Sequence, residues 1–371
     1  MEYQYYEFRA IDKPLTKDDQ NYVKSLSSRV YPTAHRAVFT YSHGDFHGKP
    51  LSVLERCFDA MLYMASWASY QLAFRFPKSA IDPAALQPYC LDHIIEVSTT
   101  KQYVILNINI YEEEKGIWID EDANWLDDLL PLRQAILQGD YRILYLAWLK
   151  AAAGSEWLEN DSQEPPVPPN LKNLNAPVQS FITWLELDPN LVAVAADNSP
   201  DQQDSKEPFK DWINALSEAE KTKLLLEIVE GESAIAGQIQ ARLRQKFAKL
   251  PGVIPGAETN RRSFSQLEAQ AKIRCQQQKA QEEAAATAKR QKHLTPLKSR
   301  QGQIWQTVHD LLDQKKSNLY DQAVQHLVEL RDLAQLEGTS ALFRSQIYQL
   351  ERQYSSRSSL LKRMQVARLL K

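Results

Sequence analysis

Tyr3 to Ile11, "YQYYEFRAI", alternates strictly: Tyr6, Phe8 and Ala10 fall on one side, and Tyr5, Glu7 and Arg9 on the other. A period of two is that of a half-buried strand. The next stretch, "LTKDDQNYVKSLSSR", changes to steps of three and four. Thr16 is its candidate N-cap, acids fill its first turn, and Tyr22, Val23 and Leu26 share one stripe, which predicts a helix. "HRAVFTYS" reads as a second strand, and "LSVLERCF", after Pro50, as a short helix. "DAMLYMASWASYQLAFRFP" predicts two strands joined tightly near Trp67–Ser69. "HIIEVSTTKQYVILNINIYEEE" predicts a second hairpin that turns at Thr100–Lys101–Gln102. From Asn124 helical spacing returns, through Leu129, Leu132 and Ile136 and then Ile143, Tyr145, Trp148 and Leu149.

Two Pro-Pro pairs in "EPPVPPN" predict a stiff, extended connector, since proline neither continues a helix nor donates to a central strand. Beyond it, "APVQSFITWLELDPNLVAVAA" and "PFKDWINALSEAEKTKLLLEIVEG" read as short helices on either side of a polar loop, "DNSPDQQDSKEP". Ser217 with Glu220 three residues on forms a capping box. Residues 260–293 carry no Gly or Pro and are rich in Ala, Gln, Glu, Lys and Arg, which predicts a long polar helix of about 50 Å. Its apolar seam (Phe264, Leu267, Ala271) fades after one and a half heptads, so a partly solvated helix fits better than a sustained coiled coil. The C-terminal stretch holds at least three amphipathic helices, around Ile304–Leu312, Tyr320–Ala334 and Phe343–Tyr354. One pair resembles a tetratricopeptide-like hairpin, with Ala323 at the small-residue position.

These patterns predict an α+β N-terminal domain, with an antiparallel or mixed sheet and flanking helices, over 1–155. A linker and small helical domain follow over 156–256, and an all-α region over 257–371. Among 371 residues, 43% hydrophobic and 25% charged describe a chain able to bury a core without metal or disulfide staples. Three widely spaced cysteines, Cys57, Cys90 and Cys275, suit a reducing compartment. "MEYQYYEFRAID" has neither a basic nor an apolar leader region, and no apolar run reaches 18 residues, so a cytoplasmic location without a membrane span is expected. The net charge of −3 divides unevenly. Residues 257–371 hold 20 Lys and Arg against 11 Asp and Glu (+9), and residues 1–256 hold 24 against 36 (−12).

The stretch "YSHGDFHGKP" offers candidate chemistry: His43 and His47 bracket Asp45, with His35 and Cys57 nearby. The helical spacing of the two histidines means little here, because Gly44, Gly48 and Pro50 argue against a helix. The expected role is a turn, braced by Asp45 and anchored by Phe46. No phosphate-binding, dinucleotide, zinc-protease or nucleophile-elbow motif is present, so neither a cofactor nor a metal is expected. The acidic runs "YEEEKG" and "WIDEDANW" lack the alternate spacing and central glycine of a calcium loop.

Together, "YYEFRAIDKPLT", the "GDF" at 44–46, "ERCFDAMLYMASWA", "LAFRFP" and "EPPVPPNL" resemble, in this order, a widespread bacterial family of uncharacterised proteins. The resemblance implies a GDF turn, a Tyr–Phe-rich hairpin, a PPVPP linker, a Lys/Arg-rich helix and a helical C-terminus. It implies no activity, and the flanking histidines fall outside its pattern. The leading expectation is a non-enzymatic scaffold that binds another protein. A second is nucleic-acid binding through Arg261, Arg262, Lys272, Arg274, Lys279, Lys289, Arg290 and Lys292, of which Arg261, Arg262, Lys289, Arg290 and Lys292 are the candidate phosphate or partner contacts. A third is an enzyme whose site gathers Tyr5, Arg9 and Asp45 with His43 or His47.

Overall fold

In the N-terminal part of the chain, strand alternation and helical stripes fold into an α+β unit. The computed structural model describes residues 3–111, 125–154, 162–201, 209–229, 239, 242–243, 246–247 and 261–370. The acidic runs over 112–124 and most of the polar loop, 202–208, lie outside the described residues. The chain divides into two compact units, residues 1–274 and 275–371, where the sequence pattern suggested breaks after 155 and 256.

Six strands form one sheet: β1 (Gln4–Arg9), β2 (Arg36–Tyr41), β3 (Ala60–Ala65), β4 (Ser69–Pro77), β5 (Ile95–Thr99) and β6 (Tyr103–Tyr111). Their order is β2-β1-β3-β4-β6-β5, and every neighbouring pair is antiparallel. The expected hairpins are β3–β4 and β5–β6. Ala68 takes a left-handed conformation (φ 54°) in the tight turn of the first.

Alternation sends Tyr6, Phe8 and Ala10 to one face. There they pack with Phe39, Met61, Ala73 and Ile105 against α1 (Lys17–Ser25) and α2 (Pro50–Cys57), through Val23, Val53 and Leu54. The other face buries Leu62, Leu72, Phe74, Leu106 and Ile108 against α3 (Trp125–Leu137), α4 (Arg142–Gly154), α5 (Ala176–Trp184) and α6 (Pro189–Asp197). Burying each large apolar side chain contributes roughly 1.5–3 kcal/mol. Covering both faces explains why β3 and β4 read as nearly continuous apolar runs rather than alternating ones. Thr16 caps α1 reciprocally with Asp19. After α7 (Phe209–Asn214), Ser217 and Glu220 close the expected box ahead of α8 (Glu218–Val229).

The Pro-rich run is not a free connector. Glu164, Pro165 and Pro168 are buried in the first unit. Glu164 N–H donates to the Arg262 carbonyl (2.8 Å), Phe264 N–H donates to the Ser162 carbonyl (3.0 Å), and Ser199 Oγ donates to the Pro168 carbonyl (2.8 Å). An extended proline segment leaves its carbonyls free, and the neighbouring chain supplies the donors. The long helix α9 (Phe264–Lys298) therefore begins after Arg261 and Arg262, and its seam residues Leu267 and Ala271 join the core of the first unit.

The second unit contains the rest of α9 with α10 (Gln301–Asp313), α11 (Ser317–Leu336), α12 (Ser340–Gln353) and α13 (Ser358–Val366). Leu312, Ala323, Leu327, Leu330, Ile347, Leu360 and Met364 fill its core. α10 and α11 form a helical hairpin, with Ala323 fully buried. α13 is a helix beyond the three delimited by sequence spacing. Among the described residues, no helix is long and apolar enough to cross a membrane.

A buried ionic network clamps one end of the sheet. Asp59, immediately before β3, accepts from the backbone N–H groups of Ile11 (2.7 Å) and Asp12 (2.8 Å) through Oδ2. Its Oδ1 accepts from Arg75 Nη2 (2.7 Å). Arg133 of α3 donates to both Asp12 oxygens (2.9 and 2.6 Å) and to the Arg75 carbonyl (2.9 Å). Arg75 in turn reaches the Glu55 carbonyl of α2 (2.5 Å). The network thus joins α2 on one face of the sheet to α3 on the other. Removing one partner strands buried charge and donors. Asp59→Ala is therefore expected to lower unfolding free energy by about 3–5 kcal/mol, and loss of the Thr16 cap in Thr16→Ala by about 1 kcal/mol. Urea titrations of the two variants measure this, and equal losses would contradict the assignment.

Candidate functional site

The sheet separates the residues of the enzymatic reading. Tyr5 and Arg9 occupy the α3 face of β1: Tyr5 donates to Glu7 Oε2 (2.9 Å), and Arg9 pairs with Glu7 (3.0 Å) and Asp127 (2.5 Å). Arg36 also donates to Glu7 (2.7 Å). Burial first, and then the Glu7 carboxylate, push the Tyr5 hydroxyl far above the ordinary phenol range, so it stays protonated as a donor. Asp45 instead lies toward the opposite face, where it accepts from Gln4 Nε2 (3.3 Å). Phe46 inserts beside Tyr6 and Phe39, each with ring centroids 4.9 Å away. Gly44 and Gly48 both take positive φ (83° and 115°), which favours glycine and fixes this stretch as a turn. His43 and His47 are exposed on that turn. The period of two that makes β1 a strand keeps Tyr5 and Arg9 away from Asp45. Among the described residues, no group of three or more His, Cys, Asp or Glu side chains is placed to hold a metal ion. Burial, and then the nearby Asp19, push the Cys57 thiol up to about 11, so it is no thiolate nucleophile at neutral pH.

The basic candidates separate as well. Arg262 is committed inside the first unit: it donates to both oxygens of buried Glu164 (2.9 and 2.7 Å) and to the Val194 carbonyl near the end of α6 (2.9 Å). Tyr145 also donates to Glu164. Within the second unit, Arg290 pairs with Asp332. Arg261, Lys289 and Lys292 are exposed. Lys272 pairs with Glu268 (2.8 Å) and Arg274 with Asp197 (3.2 Å) in the first unit. At 100° per residue Lys279, Lys289 and Lys292 fall within about 140° of one another on α9, but 10 residues, or roughly 15 Å, separate the first two.

A different feature emerges in the second unit. Asp321, Val324, Gln325 and Val328 recur at i, i+3, i+4 and i+7 on α11, and Ser359, Lys362, Arg363 and Val366 repeat the same spacing on α13. The two stripes border an open groove of about 550 Å³. Arg363 donates to Asp321 (2.7 Å) across one end, and Arg331 donates to the Ala367 carbonyl (2.8 Å) at the other. The floor is aliphatic, Val366 on the rim is 80% exposed, and Lys362 has no ionic partner among the described residues. Sequence spacing had assigned Tyr320, Ala323, Val324 and Leu327 to the apolar stripe. Val328 and Val366 continue apolar character past the packed stripe, which was the available signal for the groove.

Comparison with known protein families, with curated proteins and with solved structures finds no match for this chain.

The turn has a measurable signature. Phe46→Ala is expected to cost roughly 3 kcal/mol or more, whereas His43→Ala and His47→Ala should each stay within about 0.5 kcal/mol of the parent. Thermal melts distinguish these outcomes, and marked destabilisation by either histidine variant would point to a structural ligand at the turn.

Proposed function

We propose that this protein is a non-enzymatic interaction protein of the cytoplasm, whose helical unit captures a helix of another protein. The observation that supports the reading is the groove between α11 and α13, with two matched helical stripes around an aliphatic floor. Helix-in-groove recognition uses such a trough, filled by side chains spaced at i, i+3, i+4 and i+7 on the incoming segment. The three free thiols suit a reducing compartment. The first unit, with its clamped sheet and two buried faces, then serves as a stable platform in the same chain.

Exposed Lys279, Lys289 and Lys292 on α9 support nucleic-acid binding as the competing reading, but that reading leaves the aliphatic floor without a role.

A photoreactive amino acid placed at Gln325 of the full-length protein tests the proposal in cells. Discrete protein adducts are expected with the parent groove and are expected to disappear with Val328→Asp, while the melting temperature stays within a few degrees. Adducts that persist in Val328→Asp, or a complete lack of protein adducts, would overturn it.

A further inference from the structure

We infer that the segment received by the α11–α13 groove is an acidic amphipathic helix, its carboxylates read by Lys362 and Arg363; this rests on the groove being a docking site.

Cations outnumber acids in the second unit. Residues 275–371 hold 16 Lys and Arg against 9 Asp and Glu, a net of +7. Several of the acids already have partners inside the unit: Asp332 and Glu337 pair with Arg290 and Lys298 of α9, Asp313 accepts from Tyr354, and Asp321 accepts from Arg363. Around the groove, Asp321 is the one acidic lining residue, and its charge is met by Arg363. Lys362 adds a cation with no ionic partner among the described residues. An incoming carboxylate therefore meets positive potential, whereas an incoming ammonium meets Lys362 without compensation.

The Arg363–Asp321 pair leaves room for exchange. Its side chains are 31% and 70% exposed, and exposed pairs hold their geometry weakly. Arg363 gives Nε–H to Asp321 (2.7 Å), Nη1 to the carbonyl and hydroxyl of Ser359, and Nη2 to Ser317 Oγ (3.3 Å), so one Nη2–H remains for a second carboxylate, with the weak serine contacts the ones to yield. The surface thus recognises negative charge without first breaking a strong internal bond.

The floor decides between a peptide and a phosphate backbone. Val324 is buried beneath the groove, and part-exposed Val328 with Val366 on the rim supplies apolar surface, which a nucleic-acid backbone does not reward. A helix does, by placing two apolar side chains one turn apart. From Asp321 to Val328 the stripe covers about two helical turns, or roughly 10 Å along α11. Two such turns, apolar on one side and acidic on the flanks, match both floor and rim.

The test uses full-length protein and fluorescence anisotropy with three labelled probes. One is a synthetic helical peptide of about four turns with Leu at i, i+3, i+4 and i+7 and Glu on its flanks. The second carries Lys in place of each Glu, and the third is a single-stranded oligonucleotide. The Glu peptide is expected to bind at least about tenfold more tightly than the Lys peptide at low salt. Lys362→Glu should narrow or invert that ratio, and Val366→Asp should weaken the Glu peptide by a similar factor. Both positions are exposed, and melting curves confirm that the variants fold. Equal affinity for the two peptides, with both weakened by Val366→Asp, would overturn the acidic preference while leaving the groove as a docking site. Failure of both peptides, or binding that Val366→Asp leaves unchanged, would remove the docking site as well. Salt-sensitive capture of the oligonucleotide alone would assign the surface to phosphate instead.

Discussion

One carboxylate holds the N-terminal unit in register. Asp59 receives two backbone donors from the end of the first strand and a guanidinium from the fourth, with Arg133 at 3.9 Å. A single-residue slip of β3 against β1 would send every side chain of the strand to the wrong face and would carry Asp59 away from all of these donors. The ionic network therefore specifies the pairing, while the apolar faces supply most of the burial. Charge removed from water returns little net stability, but it penalises misalignment heavily. The same logic extends along β1, where Glu7 collects Tyr5, Arg9 and Arg36 on a face that strand alternation alone would leave ambiguous.

Glu164 repeats the device in irregular chain. Arg262 and Tyr145 both donate to it, and the backbone pairing around it draws the Pro-rich run onto the first unit. Burial, and then the carboxylate itself, raise the Tyr145 hydroxyl well above its usual range, so it remains a proton donor. The second unit is organised differently. Its core is aliphatic and aromatic, its ion pairs lie at the surface, and its cations outnumber its acids. The contrast lies in the cores: the first unit buries Glu7, Asp59, Arg75, Arg133 and Glu164, and no charged side chain is buried among the described residues of the second.

Local periodicity made much of the fold legible. The alternation of β1, the hairpins about Trp67–Ser69 and Thr100–Gln102, the Thr16 and Ser217 caps and the α10–α11 hairpin each depend on residues close together in the chain. The partners of buried charge are not local: Arg75 reaches Asp59 over 16 residues, and Arg133 reaches Asp12 over 121. Nothing in Arg9 or Arg262 as isolated letters distinguishes an internal clamp from a ligand contact, and so both had read as candidate sites. Phe46 was legible as an anchor because an aromatic between two glycines has few other uses in a turn. The groove was half legible: the stripe through Val324 was visible, but whether another helix already covered Val328 depended on packing.

The separation of Asp12 from Arg133 also sets a schedule during synthesis. At roughly 5–20 residues per second, about 6–24 s pass between the appearance of the two residues. Glu164 waits almost as long for Arg262, 98 residues later. Asp59 follows Asp12 by only 47 residues, so the end of β1 gains its acceptor early and the Asp12 carboxylate waits alone for its guanidinium. The pairing of β1 with β2 and β3 is thus complete in sequence before α3 locks the Asp12 carboxylate in place.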